Sequence, residues 1–118
     1  MMVFLFYPPC STSKKAKQWL DGHGIAYTPR HIREQNPTYE ELSRWLEQSG
    51  LPVKRFFNTS GLQYKALGLK DKLPGMTVEE QLRLLATDGM LVKRPLVITD
   101  DGKLLVGFRE AEWESTLL

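Results

Sequence analysis

Cys10 is the single cysteine among 118 residues, and it stands where a strand would hand over to a helix. The apolar run Val3-Phe4-Leu5-Phe6-Tyr7 comes first, Pro8 and Pro9 intervene, and Ser11 to Asp21 carries helical patterning. A thiol at a helix N-terminus meets unpaired backbone N–H groups and the positive end of the helix dipole, both of which favour an anion. The pKa of a cysteine so placed falls from about 8.5 to roughly 3.5–7.5. At a pKa of ~6.5 about three quarters of the thiol is thiolate at pH ~7, which makes a competent nucleophile. The other reading of the same residue is a free cysteine packed as a small hydrophobe. Lys14, Lys15 and Lys17 follow in the first turns of the helix, where they oppose its dipole; either they serve an anion beside Cys10 or they form a solvated face.

The chain around this residue has the size and composition of one globular domain. With 42% hydrophobic residues it buries roughly two thirds of its unfolded surface. A lone cysteine excludes an internal disulfide, and His23 and His31 supply no structural zinc set, so a reducing compartment, the cytoplasm, is expected. The apolar N-terminal run is too short and uncharged for a signal peptide, and no run approaches a membrane span. A net charge of +2, with 16 basic residues spread among 14 acidic ones, argues against direct nucleic-acid binding and leaves room for a local basic patch.

The expected order of elements is β-α-β, helices, β-β-α. The helix from Ser11 buries Ala16, Trp19 and Leu20; Gly22 and Gly24 end it, and Ile25-Ala26-Tyr27-Thr28 suits a second strand. Thr38 and Glu41 have capping-box spacing ahead of Leu42, Trp45 and Leu46, with Gly50 and Pro52 as the stop. Ser60 to Leu67 allows a short helix with Leu62, Ala66 and Leu67 inward, and Thr77 with Glu80 repeats the capping box before Val78, Leu82 and Leu85. Strands at Leu96-Val97-Ile98 and Lys103 to Val106 flank Asp101-Gly102, a hairpin signal, and Arg109 to Leu118 forms a closing helix with Trp113 and Leu117 inward. A right-handed crossover makes the first two strands parallel and the hairpin makes the last two antiparallel, giving a four-stranded mixed sheet. Cys10 then lies at the carboxyl edge of a strand, where open α/β sheets place ligands.

Taken together, the strand, Cys10-Ser11-Thr12-Ser13 and helix, the helical insert with Tyr64-Lys65-Ala66-Leu67-Gly68-Leu69, Arg94-Pro95-Leu96-Val97-Ile98 and Leu105-Val106-Gly107-Phe108 resemble the arsenate reductase (ArsC)/Spx family. The resemblance covers essentially the whole chain. It implies a thioredoxin-like α/β fold in one domain, with halves at about 1–33 and 91–118 and a helical insert at about 34–90. It also implies a cis peptide bond at Arg94-Pro95 that sets Pro95 beside Cys10. In the glutaredoxin-dependent arsenate reductases two further arginines help bind the oxyanion; here Asn58 and Gly107 stand at those positions. Each lost charge-assisted contact forfeits about 1.5–3 kcal/mol, so two weaken oxyanion binding by roughly a hundredfold or more. Lys14, Lys54, Arg55 and Arg109 are the remaining cations that could compensate.

The closer likeness is to the Spx/YusI-like branch, with Phe57-Asn58-Thr59-Ser60-Gly61 and Val106-Gly107-Phe108 in place of those arginines. That branch implies a monothiol oxidoreductase without a bound cofactor. Cys10 attacks an oxidised or electrophilic sulfur, and Arg94 holds a carboxylate or neighbouring anion. Ser11, Thr12 and Ser13 offer donors to the thiolate, Asn58, Thr59 and Ser60 add neutral donors, and an external glutathione-type thiol, glutaredoxin or thioredoxin is the reductant. Simpler roles stand beside these: helix capping for Ser11 to Ser13, a surface ion pair for Arg94, a turn for Asn58 to Ser60. A different class of function is also implied, a regulator like Spx that binds the RNA polymerase alpha subunit; in either class the chain is expected to be a monomer. Ser13 replaces the second cysteine of the usual Cys-x-x-Cys switch, so an intramolecular disulfide is impossible. An inert scaffold is the third reading.

Overall fold

A computed structural model describes residues 1–118 and divides them into two compact units, Met1–His31 with Arg94–Leu118, and Ile32–Lys93. The first unit is built on a four-stranded sheet of β1 (Val3–Phe6), β2 (Thr28–His31), β3 (Leu96–Ile98) and β4 (Leu104–Val106), in the order β2-β1-β3-β4. β1 runs parallel to β2 and antiparallel to β3, and β3 is antiparallel to β4. The register aligns Phe4, Val97 and Leu105 across one face, where they pack with Ala16, Trp19 and Leu20 of α1 (Ser11–Gly22) and with the fully buried Trp113 of the C-terminal helix Glu110–Leu117. Leu5, Leu96 and Val106 alternate onto the opposite face and are buried as well. Trp113 also donates its indole N–H to the Gly107 carbonyl at 3.1 Å, so the residue that fills the core also fastens the strand-to-helix turn.

The second strand lies three residues beyond its expected place, at Thr28–His31 in place of Ile25 to Thr28. Ile25 is used instead to close α1, its N–H bonded to the Leu20 carbonyl. β2 is an edge strand, which is why it tolerates Pro29: a residue without an N–H can sit where one side of the ladder is open.

The second unit is helical. α2 (Tyr39–Ser49) opens with the full Thr38–Glu41 capping box and ends at Gly50, whose φ of 65° is the left-handed conformation that glycine adopts without strain. Short helices α3 (Leu62–Ala66) and α4 (Leu69–Lys72) precede α5 (Val78–Leu85), which carries the second capping box at Thr77 and Glu80. In α3 the buried side chain is Tyr64, and Leu62 is 86% exposed; Ala66 and Leu67 are exposed too, so the expected inward face is reversed. Val78 is likewise exposed, because as the first residue of α5 it lies ahead of the Gln81, Leu82 and Leu85 face. At Gly89 a Cβ would come within 1.8 Å of the Ile32 carbonyl oxygen, so no larger residue fits that approach. No helix is long and apolar enough to cross a membrane.

The reciprocal bonds of the Thr38 box are 3.1 Å and 3.0 Å, and both donors would lose their partner or its fixed geometry in Thr38→Ala. The expected cost is about 1 kcal/mol, read by chemical denaturation. An unchanged midpoint and slope would show that α2 is held by its Leu42 and Trp45 face alone.

Candidate functional site

Cys10 is the N-cap residue of α1, in extended conformation, and its carbonyl accepts the Lys14 N–H that starts the helix. A loop of Tyr7, Pro8 and Pro9 delivers it there, closed by the Cys10 N–H bonded to the Tyr7 carbonyl at 2.9 Å. As a neutral thiol Cys10 makes no capping hydrogen bond. As a thiolate it faces the N–H groups of Thr12 and Ser13, the N2 and N3 amides that an N-cap side chain ordinarily satisfies.

Partial burial pushes the Cys10 thiol up, but four contacts outweigh it and hold the group below its ordinary range. They are the Ser13 N–H, the Ser13 hydroxyl, the Thr12 N–H and the Arg94 side chain. Ser13 is fully buried, and its hydroxyl oxygen accepts the Tyr7 N–H at 3.2 Å. With its lone pair engaged there, the hydroxyl proton is free to point at sulfur. Ser13 is thus the third residue of α1 and not its cap, and its hydroxyl is one of the groups that hold the Cys10 thiol down. Ser11 and Thr12 are exposed, and the group that Thr12 brings to the site is its backbone N–H.

Arg94 comes from the segment before β3. Its peptide bond to Pro95 is cis, and Pro95 is buried and leads directly into β3, whose Leu96 pairs with Leu5 of β1. The half-buried Arg94 guanidinium lies over the Tyr7 ring, 5.1 Å from its centroid, a cation–π arrangement that restrains a long side chain. The His31 ring meets the same tyrosine edge-on at 5.8 Å. Tyr7 thus contacts Arg94 through its ring and Ser13 and Cys10 through its backbone. In the sequence Tyr7 reads as the last residue of a strand, and the signal for its second role is an aromatic residue at the exit of β1, three residues before the cysteine.

Cys10, Thr12, Ser13 and Arg94 are brought together in the first unit. Asn58, Thr59 and Ser60 belong to the second, where Asn58 and Gly61 close a turn through the Asn58 carbonyl at 3.1 Å and Ser60 donates to the Asn58 side chain at 3.3 Å. Gly107, at the other position read as an arginine in the reductases, has a φ of 74° and donates its N–H to the Pro95 carbonyl at 2.8 Å. Its backbone braces the cis proline, in a conformation that a side chain would strain. Lys14 and Lys15 are exposed, and Lys17 pairs with Asp21 at 2.9 Å.

A helix-capping thiol with this set of donors has a counterpart in known proteins: the model of the ArsC family matches residues 5–116. The chain belongs to the ArsC/Spx family. Within it, YusI of Bacillus subtilis (strain 168) is 53% identical over 113 residues, covering 96% of this chain and 95% of YusI. The regulatory protein MgsR of the same organism is 33% identical, covering 94% and 86%. The global transcriptional regulator Spx of Staphylococcus epidermidis (strain RP62A) is 32% identical, covering 94% and 83%. A crystal structure of an ArsC-family-related protein from Bacteroides fragilis superposes with a TM-score of 0.93 at 60% identity, covering 97% of this chain and 95% of that one. The thioredoxin-like mixed sheet is therefore the family fold, and ArsC/Spx members include both enzymes and regulators.

Proposed function

We propose that this ArsC/Spx-family protein is a monothiol oxidoreductase in which the Cys10 thiolate exchanges with a disulfide and an external glutathione-type thiol completes the cycle. Cys10 sulfur attacks one sulfur of the substrate disulfide; the new S–S bond joins Cys10 to that half, and the other half leaves as a thiolate. The external thiolate then attacks the substrate sulfur of the mixed disulfide, regenerating the Cys10 thiolate and leaving as an oxidised disulfide. The net reaction is thiol–disulfide exchange: one half of the substrate is released as a thiol, the other leaves disulfide-bonded to the now oxidised external thiol, and no second enzyme cysteine is required.

The observation that carries this reading is the convergence of the Ser13 N–H and hydroxyl, the Thr12 N–H and Arg94 on one half-buried sulfur. Each stabilises the anion in preference to the thiol, which is what a nucleophile at neutral pH requires. Arg94 is also the group suited to a carboxylate of the incoming thiol. Arsenate reduction is the weaker form of the proposal, because Asn58 and Gly107 lack the charge that an oxyanion would need.

The test is the alkylation rate of Cys10 against pH, in native and denatured protein. The native midpoint is expected below about 8.5, with the denatured chain titrating at the ordinary value. A native midpoint at or above the denatured one would reject thiolate activation. A second reading, a regulator that binds the RNA polymerase alpha subunit, is favoured by the likeness to MgsR and Spx. Recovery of the alpha subunit from lysate above a control, in the Cys10→Ser variant as well as the parent, would support it.

A further inference from the structure

The balanced overall charge conceals two acid-free stretches. Between Glu47 and Asp71 the chain carries Lys54, Arg55, Lys65 and Lys70 and no carboxylate, and between Asp88 and Asp100 it carries Lys93 and Arg94 alone. The second unit folds parts of both stretches together. Phe57 bridges Val92, and the Lys93 N–H donates to the Phe56 carbonyl at 2.8 Å, which sets Lys93 beside the tight helical turn Val53–Phe56. The result is a pocket of about 310 Å³ lined by Pro52, Lys54, Arg55, Phe57, Thr59 and Lys93.

Its polar lining is all cationic or hydroxyl. Arg55 and Lys93 are half-buried, yet neither they nor Lys54 form an ion pair or side-chain hydrogen bond with the protein, and the Thr59 hydroxyl is equally unengaged. Arg55 and Lys93 are partly withdrawn from water without a carboxylate partner, and an anion held in the pocket would offset that cost. Pro52 and Phe57 add an apolar wall that a simple inorganic ion would leave unused. We infer that this pocket binds a small organic anion, with its acidic groups on Arg55, Lys93 and Lys54 and a short apolar span against Pro52 and Phe57. The volume lies at the lower end of small-molecule sites, roughly 300–1,000 Å³. A guanidinium and two ammonium groups accept carboxylate or phosphate alike, so the ligand chemistry is an acidic group on an apolar stem. This inference is independent of the chemistry proposed for Cys10.

Two probes distinguish the possible acids: glutarate, a dicarboxylate, and phenyl phosphate, each titrated into the full chain while backbone amide resonances are followed, with potassium chloride at matched ionic strength as the control. Saturable shifts are expected at Lys54, Arg55, Phe57, Thr59 and Lys93, and the probe with the lower midpoint names the preferred acid. In Arg55→Gln/Lys93→Gln the midpoint rises about tenfold or more, from the loss of charge-assisted contacts. The exposed Lys54→Gln, which leaves the packing untouched, weakens binding severalfold, and Cys10→Ser leaves it unchanged. Shifts that potassium chloride reproduces, that fail to saturate with either probe, or that keep their midpoint in the Lys54 variant would overturn the inference.

Discussion

Cys10→Ser is expected to abolish mixed-disulfide formation while leaving the fold intact. Incubated with glutathione disulfide, the parent chain gains one glutathionyl adduct by intact mass, and the serine variant gains none. The chemistry is lost because a serine hydroxyl does not ionise in this range and cannot form a disulfide. Stability is retained for a separate reason. Residue 10 is the N-cap of α1, no side chain caps that helix, and serine is among the preferred N-cap residues whereas cysteine is not. The Thr12 and Ser13 N–H groups that face the sulfur are available to a serine oxygen. The variant should therefore unfold at the same denaturant concentration as the parent or slightly above it. An adduct on the serine variant would sink the proposal, since the chain has no other cysteine to carry it.

How far such a site is legible in sequence depends on how local its causes are. Position at a strand–helix junction is a local property, and Cys10 is found at the N-cap as its neighbours foretell. The two capping boxes are equally local, Thr or Ser followed three residues later by Glu, and both are formed. β2 fails that test: Thr28-Pro29-Arg30-His31 has no apolar alternation, and it is a strand only because β1 supplies its ladder partner. Leu62 and Tyr64 illustrate the same limit, because on a five-residue helix the inward face is chosen by what the helix packs against. The approach of Arg94 to Cys10 spans most of the chain and no spacing rule contains it; the family resemblance supplied that expectation. Tyr7 was missed because a strand pattern says which residues are apolar and not which ring an arginine will lie across.

Arg94→Ala should raise the pH midpoint of Cys10 alkylation, and the sign follows from which protonation state the guanidinium favours. It stabilises the thiolate, so its removal moves the native value toward that of an ordinary cysteine. At neutral pH the alkylation rate then falls modestly, because the Ser13 and Thr12 contacts lower the thiol more than Arg94 does, and the difference closes at alkaline pH, where both thiols are ionised. The contact is partly solvent-screened, which keeps the effect below that of a buried pair. Binding of a carboxylate-bearing disulfide should weaken about tenfold, the value of a charge-assisted hydrogen bond of this kind. Arg94→Lys restores charge without the planar group that lies over Tyr7, and should recover part of the loss. Tyr7 separates position from charge. Tyr7→Leu leaves the guanidinium in place but removes the ring that restrains it, and should raise the midpoint by less than Arg94→Ala. Tyr7→Phe keeps the ring and should behave as the parent. If Arg94→Ala titrates as the parent does, Arg94 has no part in activating the thiol. If Arg94→Ala is altered and Tyr7→Leu is not, another contact orients the guanidinium, and Tyr7 serves the loop through its backbone alone.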